Sequence, residues 1–205
     1  HQVEVLRVLL TVFAQVPEVL RCIFNTIIFQ RALGPVKPEF VESELFDIVY
    51  ARVPGEEIQR TLETQLPKFN ASLTPLGPDL ARGQMVVSLY EKRKKKHLFG
   101  IASTSEKVYW EQWQIRLIIN TQPRKPGKDP STVLALERKQ AALEDALRAL
   151  VLQVITLANR RTDHIPPINF NLDTPLIFPF SLSCVASESS SWVPRFLKSG
   201  PPMLT

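Results

Sequence analysis

Trp110–Asn120 reads WEQWQIRLIIN, and its alternation decides the fold class. Trp113, Ile115, Leu117 and Ile119 fall on one parity, Gln112, Gln114 and Arg116 on the other. A period of two predicts a β-strand with one face on a core and one face toward solvent or a partner. Upstream, Met85, Val87 and Leu89 alternate with Val86, Ser88 and Tyr90, which predicts a second strand. The intervening Glu91–Tyr109 reads as a long loop, and loops of that length are usually functional or disordered. Trp110 and Trp113 differ in parity, so they are expected on opposite sheet faces, one in the core and one available to a partner.

Helices surround this pair of strands in the sequence. Val3–Phe13 is rich in Val and Leu and reads as a first strand. Val16, Val19, Leu20, Ile23, Phe24, Ile27 and Ile28 then recur at helical spacing, with Pro17 in the first turn and Gly34-Pro35 as the stop. Leu45–Val53 reads as a strand. The segment Pro54-Gly55-Glu56-Glu57 opens a second helix with Ile58, Leu62, Leu66, Phe69 and Leu73 as its buried stripe. Pro67 is expected to kink that helix or end its regular part.

After a Pro/Gly/Lys loop at Pro123–Lys128, Asp129-Pro130 starts the longest helix, which runs to Arg161 with Leu136, Leu143, Leu147, Leu150 and Val154 inward. At 1.5 Å per residue it is a rod of roughly 45 Å. From Ile168 the chain becomes a strand-forming tail. Leu176, Phe178, Phe180, Leu182 and Cys184 share one face, and Pro179 favours an edge position. A last apolar piece is Trp192–Leu197. The expectation is an α+β fold, a mainly antiparallel sheet packed on a long central helix with two further helices. It spans residues 1–205 as a single domain with its core in 3–160 and its tail in 168–205.

Composition narrows the function classes. The 205 residues are 44% hydrophobic and 22% charged, the balance of a globular protein, and the net charge of +5 favours acidic partners. Cys22 and Cys184 read as reduced thiols of an intracellular protein. No catalytic signature appears. His1, His97 and His164 form no metal-binding pattern, no Walker, GxGxxG or GxSxG string occurs, and Glu56-Glu57 and Glu144-Asp145 read as solvated helix charges. The expectation is a non-enzymatic binding module with no cofactor.

The candidate site is the basic run Lys92, Arg93, Lys94, Lys95, Lys96 followed by His97, Leu98 and Phe99. It reads either as a solvated hairpin tip or as a cationic finger for a protein or a weakly held anionic membrane. Nucleic acid is disfavoured, because the loop offers a single aromatic for stacking. A peripheral membrane or nucleic-acid module using residues 92–99 is the alternative reading.

The order of elements resembles the HORMA fold of spindle-checkpoint and meiotic-axis adaptors. FDIVYARVPGEEIQRTLETQLPKF (Phe46–Phe69), GQMVVSLYEKRKKK (Gly83–Lys96) and WEQWQIRLIIN (Trp110–Asn120) together resemble the autophagy-related protein 101 family over residues 3–160, and the tail more loosely. That resemblance implies a scaffold in the autophagy-initiation kinase complex. The scaffold would pair with and stabilise the HORMA domain of autophagy-related protein 13, in an open state whose tail packs on its own domain. It also implies a cytoplasmic location with recruitment to the autophagosome assembly site. A Trp-Phe finger in the family recruits downstream factors; here the matching place is His97-Leu98-Phe99, with His97 at the Trp position.

Overall fold

The computed structural model describes residues 2–96, 103–122, 130–168 and 177–185. In chain order the elements are β1 (Gln2–Val12), a 3-10 turn (Phe13–Gln15), α1 (Val16–Gln30), β2 (Glu39–Glu42), β3 (Val49–Arg52) and α2 (Glu56–Ala71). They continue with β4 (Thr74–Pro75), β5 (Leu80–Lys96), β6 (Ser103–Asn120), α3 (Pro130–Arg160) and β7 (Phe180–Cys184). The main sheet runs β1-β6-β5-β4, and β7 pairs with β5 on the same edge as β4. All its pairings are antiparallel except β1 with β6, which lie parallel. The mixed α/β class and the mainly antiparallel sheet therefore agree with the sequence.

α1 is the helix at the centre of the packing. Val16, Val19, Leu20, Cys22, Ile23, Phe24, Ile27 and Ile28 are at most 1% exposed, and the polar Glu18, Asn25 and Thr26 are buried too, so this helix is enclosed on nearly every side. It faces Leu6 of β1, Met85, Val87 and Leu89 of β5, and Trp113, Ile115, Leu117 and Ile119 of β6 in one buried cluster. Phe24 meets Phe180 of β7 with ring centroids 5.6 Å apart. The expectation of α3 as the central helix is corrected by this. α3 packs on α1 and β1 through Leu143, Leu147, Leu150, Val154 and Ala158, while Leu136 is half-buried and Val133 and Leu134 are exposed. Its stripe is narrower than that of α1, so it can cover the core but not thread it.

Two boundaries also differ from the sequence reading. Leu45–Val53 contains only the short β3, which pairs with β2 as a separate two-stranded hairpin; Phe46 and Ile48 are buried in irregular chain instead. α2 runs through Pro67 to Ala71, and Pro67 sits on its exposed side. Gly55 precedes α2 with φ 147, a conformation that favours glycine.

Both faces of the sheet's middle are buried. Val86, Ser88, Gln112 and Gln114 are 7% exposed or less, contrary to the one-sided expectation. Gln112 Nε2 donates to Ser88 Oγ at 3.1 Å, so the amides on this face are satisfied by one another.

Gly83 shows how closely α2 approaches the sheet. A Cβ there would collide with the Phe69 ring and come within 2.6 Å of Leu73 Cδ2, and Phe69 is fully buried. Leu147 is also fully buried, whereas Leu152 on the same helix is 59% exposed. Urea denaturation should show Leu147→Ala costing about 2–5 kcal/mol and Leu152→Ala less than about 0.5 kcal/mol. A larger loss at Leu152 than at Leu147 would mean that α3 is packed on the other side.

Cys22 and Cys184 are both free thiols. Burial, followed by the nearby Glu18 carboxylate, pushes the Cys22 thiol up to about 12. Burial also raises Cys184, with Lys68 opposing it. Native alkylation at pH 8 should spare Cys22, and unfolding should make both thiols reactive. The folded pKa of Cys22 lies above its unfolded value. Its burial therefore costs no stability at neutral pH, and stability falls as pH rises from about 9 to about 12. A denaturation midpoint unchanged over that range in the wild type but shifted in Cys22→Ala would contradict this.

Candidate functional site

β5 and β6 pair from Leu80/Asn120 out to Lys96/Ser103, so the basic run continues the ladder and is not a loop. Lys92 stands opposite Lys107, Arg93 opposite Glu106, Lys94 opposite Ser105, Lys95 opposite Thr104 and Lys96 opposite Ser103. Backbone hydrogen bonding carried strand structure through a segment whose charges carry no apolar alternation, which is why the sequence reading stopped at Tyr90. The candidate tip His97, Leu98 and Phe99 lies outside the described residues.

The arm leaves the body of the sheet at Tyr90 and Tyr109, whose rings meet edge-on at 5.4 Å. Lys107 Nζ sits 4.7 Å from the centre of the Tyr90 ring. Beyond that point Lys92, Arg93, Ser105 and Glu106 are all exposed, and Arg93 forms an ion pair with Glu91. Neither sheet face can be a core here, because both parities carry charge.

At the base of the arm, β6 holds one more residue than β5. Leu89 pairs with Glu111 and Tyr90 with Tyr109, leaving Trp110 as the extra residue of a β-bulge. A bulge resets the side-chain alternation, so Trp110 and Trp113 point into the same core and are 6% and 0% exposed. This corrects the expectation that one tryptophan is free for a partner. Trp110 packs edge-on against Phe178 at 4.7 Å and near His164 at 5.8 Å.

The bulge also places a buried polar cluster that the sequence reading missed. Glu111 is fully buried, and Arg31 Nε donates to both its oxygens at 2.8 and 3.0 Å. His164 Nε2 lies 2.6 Å from Glu111 Oε2, and Trp113 Nε1 donates to Oε1. Arg31 Nη1 also donates to the Ala158 carbonyl at 3.0 Å. One carboxylate thus joins the end of α1, strand β6, the end of α3 and the chain that follows it. A sequence signal existed: Glu111 shares parity with Trp113, Ile115, Leu117 and Ile119, and a carboxylate at a core position requires a cation.

These groups are structural in what they can do, since Glu111 has no exposed surface through which to meet a substrate. A separate open cleft of about 580 Å³ between the 3-10 turn, the β2–β3 connection and α3 is lined by residues including Gln15, Leu45, Leu136, Gln140 and Glu144. That lining holds carboxylates and amides but no thiol, imidazole or cation. At its rim the Asp47 N–H, then Arg148, hold the Glu144 carboxyl below its usual range and tie the β2–β3 connection to α3. Among the described residues no group of three His, Cys, Asp or Glu could hold a metal, and no helix is long and apolar enough to cross a membrane.

The class defined here is a helix-backed mixed sheet that projects a cationic hairpin. The family model for autophagy-related protein 101 matches residues 11–171. Autophagy-related protein 101 of Arabidopsis thaliana is 32% identical over 205 residues, covering 93% of this chain and 92% of that protein. The Schizosaccharomyces pombe protein of the same name is 27% identical over 74% of this chain and 71% of its own length. The Homo sapiens protein is 27% identical over about half of each chain, at 50% and 51%. The chain belongs to the autophagy-related protein 101 family.

Replacing Glu111 by Leu leaves the Arg31 guanidinium buried without its counter-charge, which should cost about 3–5 kcal/mol in urea denaturation. The double variant Arg31→Leu/Glu111→Leu removes both charges and should be less destabilised than Glu111→Leu alone. Additive losses would mean that the pair is not coupled.

Proposed function

We propose that this chain is a non-enzymatic scaffold of autophagy initiation that binds and stabilises the HORMA domain of autophagy-related protein 13 as a heterodimer. Family membership supports the process. The HORMA assignment is supported by the order of elements, with β1 on one edge of the sheet and the tail strand β7 on the opposite edge. Recruitment of downstream factors is assigned to His97, Leu98 and Phe99. The scaffold would act in the cytoplasm within the initiation kinase complex and be drawn to the autophagosome assembly site. The membrane or nucleic-acid alternative gains no support from the family match.

The observation that carries the binding role is the outer face of the β2–β3 hairpin. Phe40 is opposite Ala51 and Val49 is opposite Glu42, so all four residues share one face, while Val41 and Tyr50 turn inward. Phe40 is 74% exposed and Val49 59%. A Phe and a Val left in water on a small hairpin forgo about 1.5–3 kcal/mol each, which a partner surface would recover. The hairpin is backed by α1, and its connection is pinned to α3 through Asp47, so the face is presented rigidly.

Gel filtration and thermal melting of a mixture with the autophagy-related protein 13 HORMA domain test the proposal. The wild type should co-elute, and melting should rise with partner concentration. Phe40→Glu/Val49→Glu should keep its own melting temperature yet weaken association by about a hundredfold or more. Separate elution of the wild-type chains would reject the partner; co-elution of the double variant would reject the face.

A further inference from the structure

We propose that the basic arm is a docking edge for an acidic, extended segment of a partner protein, which adds as a strand beside the outer end of β5. The inference starts from backbone directions. Gln84 O accepts from the Val185 N–H, and the Tyr90 N–H donates to Pro179 O, so even-numbered residues of β5 aim their backbone groups toward the β7 side. β7 pairs only with Met85–Leu89. The irregularity at the base of the arm is carried by β6, so β5 keeps its alternation to Lys96. The N–H and C=O groups of Lys92, Lys94 and Lys96 therefore face an edge that no strand occupies among the described residues. Such an edge is a template for strand addition.

Charge selects the occupant. Six cations (Lys92–Lys96 and Lys107) against two carboxylates (Glu91 and Glu106) leave +4 of the chain's +5 on this one arm. Lys92 also stands directly opposite Lys107, a like-charge pairing that costs stability until an anion comes between. A strand bearing Asp or Glu at alternate positions meets both demands, since its backbone fills the ladder and its carboxylates meet the cations. A nucleic acid would instead need free aromatic faces, and the Tyr90 ring is engaged by Tyr109 and Lys107. This site is distinct from the Phe40 face and does not depend on the partner assigned to that face.

The test uses the full chain and a fluorescein-labelled peptide of alternating Glu and Val. A peptide of alternating Glu and Pro serves as the control, equal in charge but poor in backbone donors. The Glu-Val peptide should bind at least about tenfold more tightly, and on binding the Lys92, Lys94 and Lys96 amides should gain protection from hydrogen exchange. Lys94→Gln removes charge alone and should weaken binding about two- to threefold. Lys94→Pro also removes the outward N–H, at an edge position where proline is tolerated, and should weaken it about tenfold or more. Circular dichroism and melting matching the wild type confirm that each variant is folded; if Lys94→Pro is not, the peptide pair and the amide protection decide. Equal binding of the two peptides, or no protection at these amides, would overturn strand addition. Binding to phosphatidylserine vesicles without binding to the Glu-Val peptide would overturn the protein partner.

Discussion

The Arg31–Glu111 ion pair is the constraint on which the remaining arrangement depends. Two opposite charges in a dry interior are tolerated only when geometry and additional hydrogen bonds offset their lost hydration. Here the carboxylate receives Arg31, His164 and Trp113, and the guanidinium also reaches the Ala158 carbonyl. Those partners come from the end of α1, strand β6 and the end of α3 with its continuation. The buried pair thus adds a directional contact that ties the end of α1 to β6 and to the end of α3.

The bulge at Trp110 converts this local chemistry into the shape of the hairpin. It brings Trp110 and Trp113 to one side, where Phe178 and His164 close over Trp110. A bulge also increases strand twist locally, and beyond it the ladder continues through Tyr90 and Tyr109 to Lys96 and Ser103. The core ends where the charges begin: Leu89 is buried on one side of the irregularity, and Lys92 and Arg93 are exposed on the other. Packing and projection are thus two results of a single inserted residue.

Much of this was legible in the sequence, for identifiable reasons. The stripe of α1 and the alternation in β5 and β6 are periodic over many residues, and periodicity is what a buried face imposes. The pairing of β2 with β3 was not legible, because four-residue strands with exposed residues carry too short a pattern. The rank of the helices was misread from length: α3 is longer, yet α1 is buried on nearly every side. The facing of Trp110 could not be read because parity assumes an uninterrupted ladder. The basic run Lys92–Lys96 was identified by composition, but its place in a strand follows from pairing with Ser103–Lys107, which composition does not encode.

The parallel pairing of β1 with β6 has a consequence for synthesis of the chain. Gln2–Val8 lies beside Glu111–Leu117, more than half the molecule away in sequence. β1 therefore cannot be enclosed until β6 has been made, and at common elongation rates of 5–20 residues per second that takes about 5–20 s. Throughout that interval Val3, Val5 and Leu6 lack their native strand neighbour, and the apolar stripe of α1 lacks the sheet beneath it. Contacts of such sequence separation also slow folding once the chain is complete, because a large loop must close before they form. The β1–α1 segment thus waits longest for its native neighbours, and a chaperone or an early-binding partner would act most effectively on it.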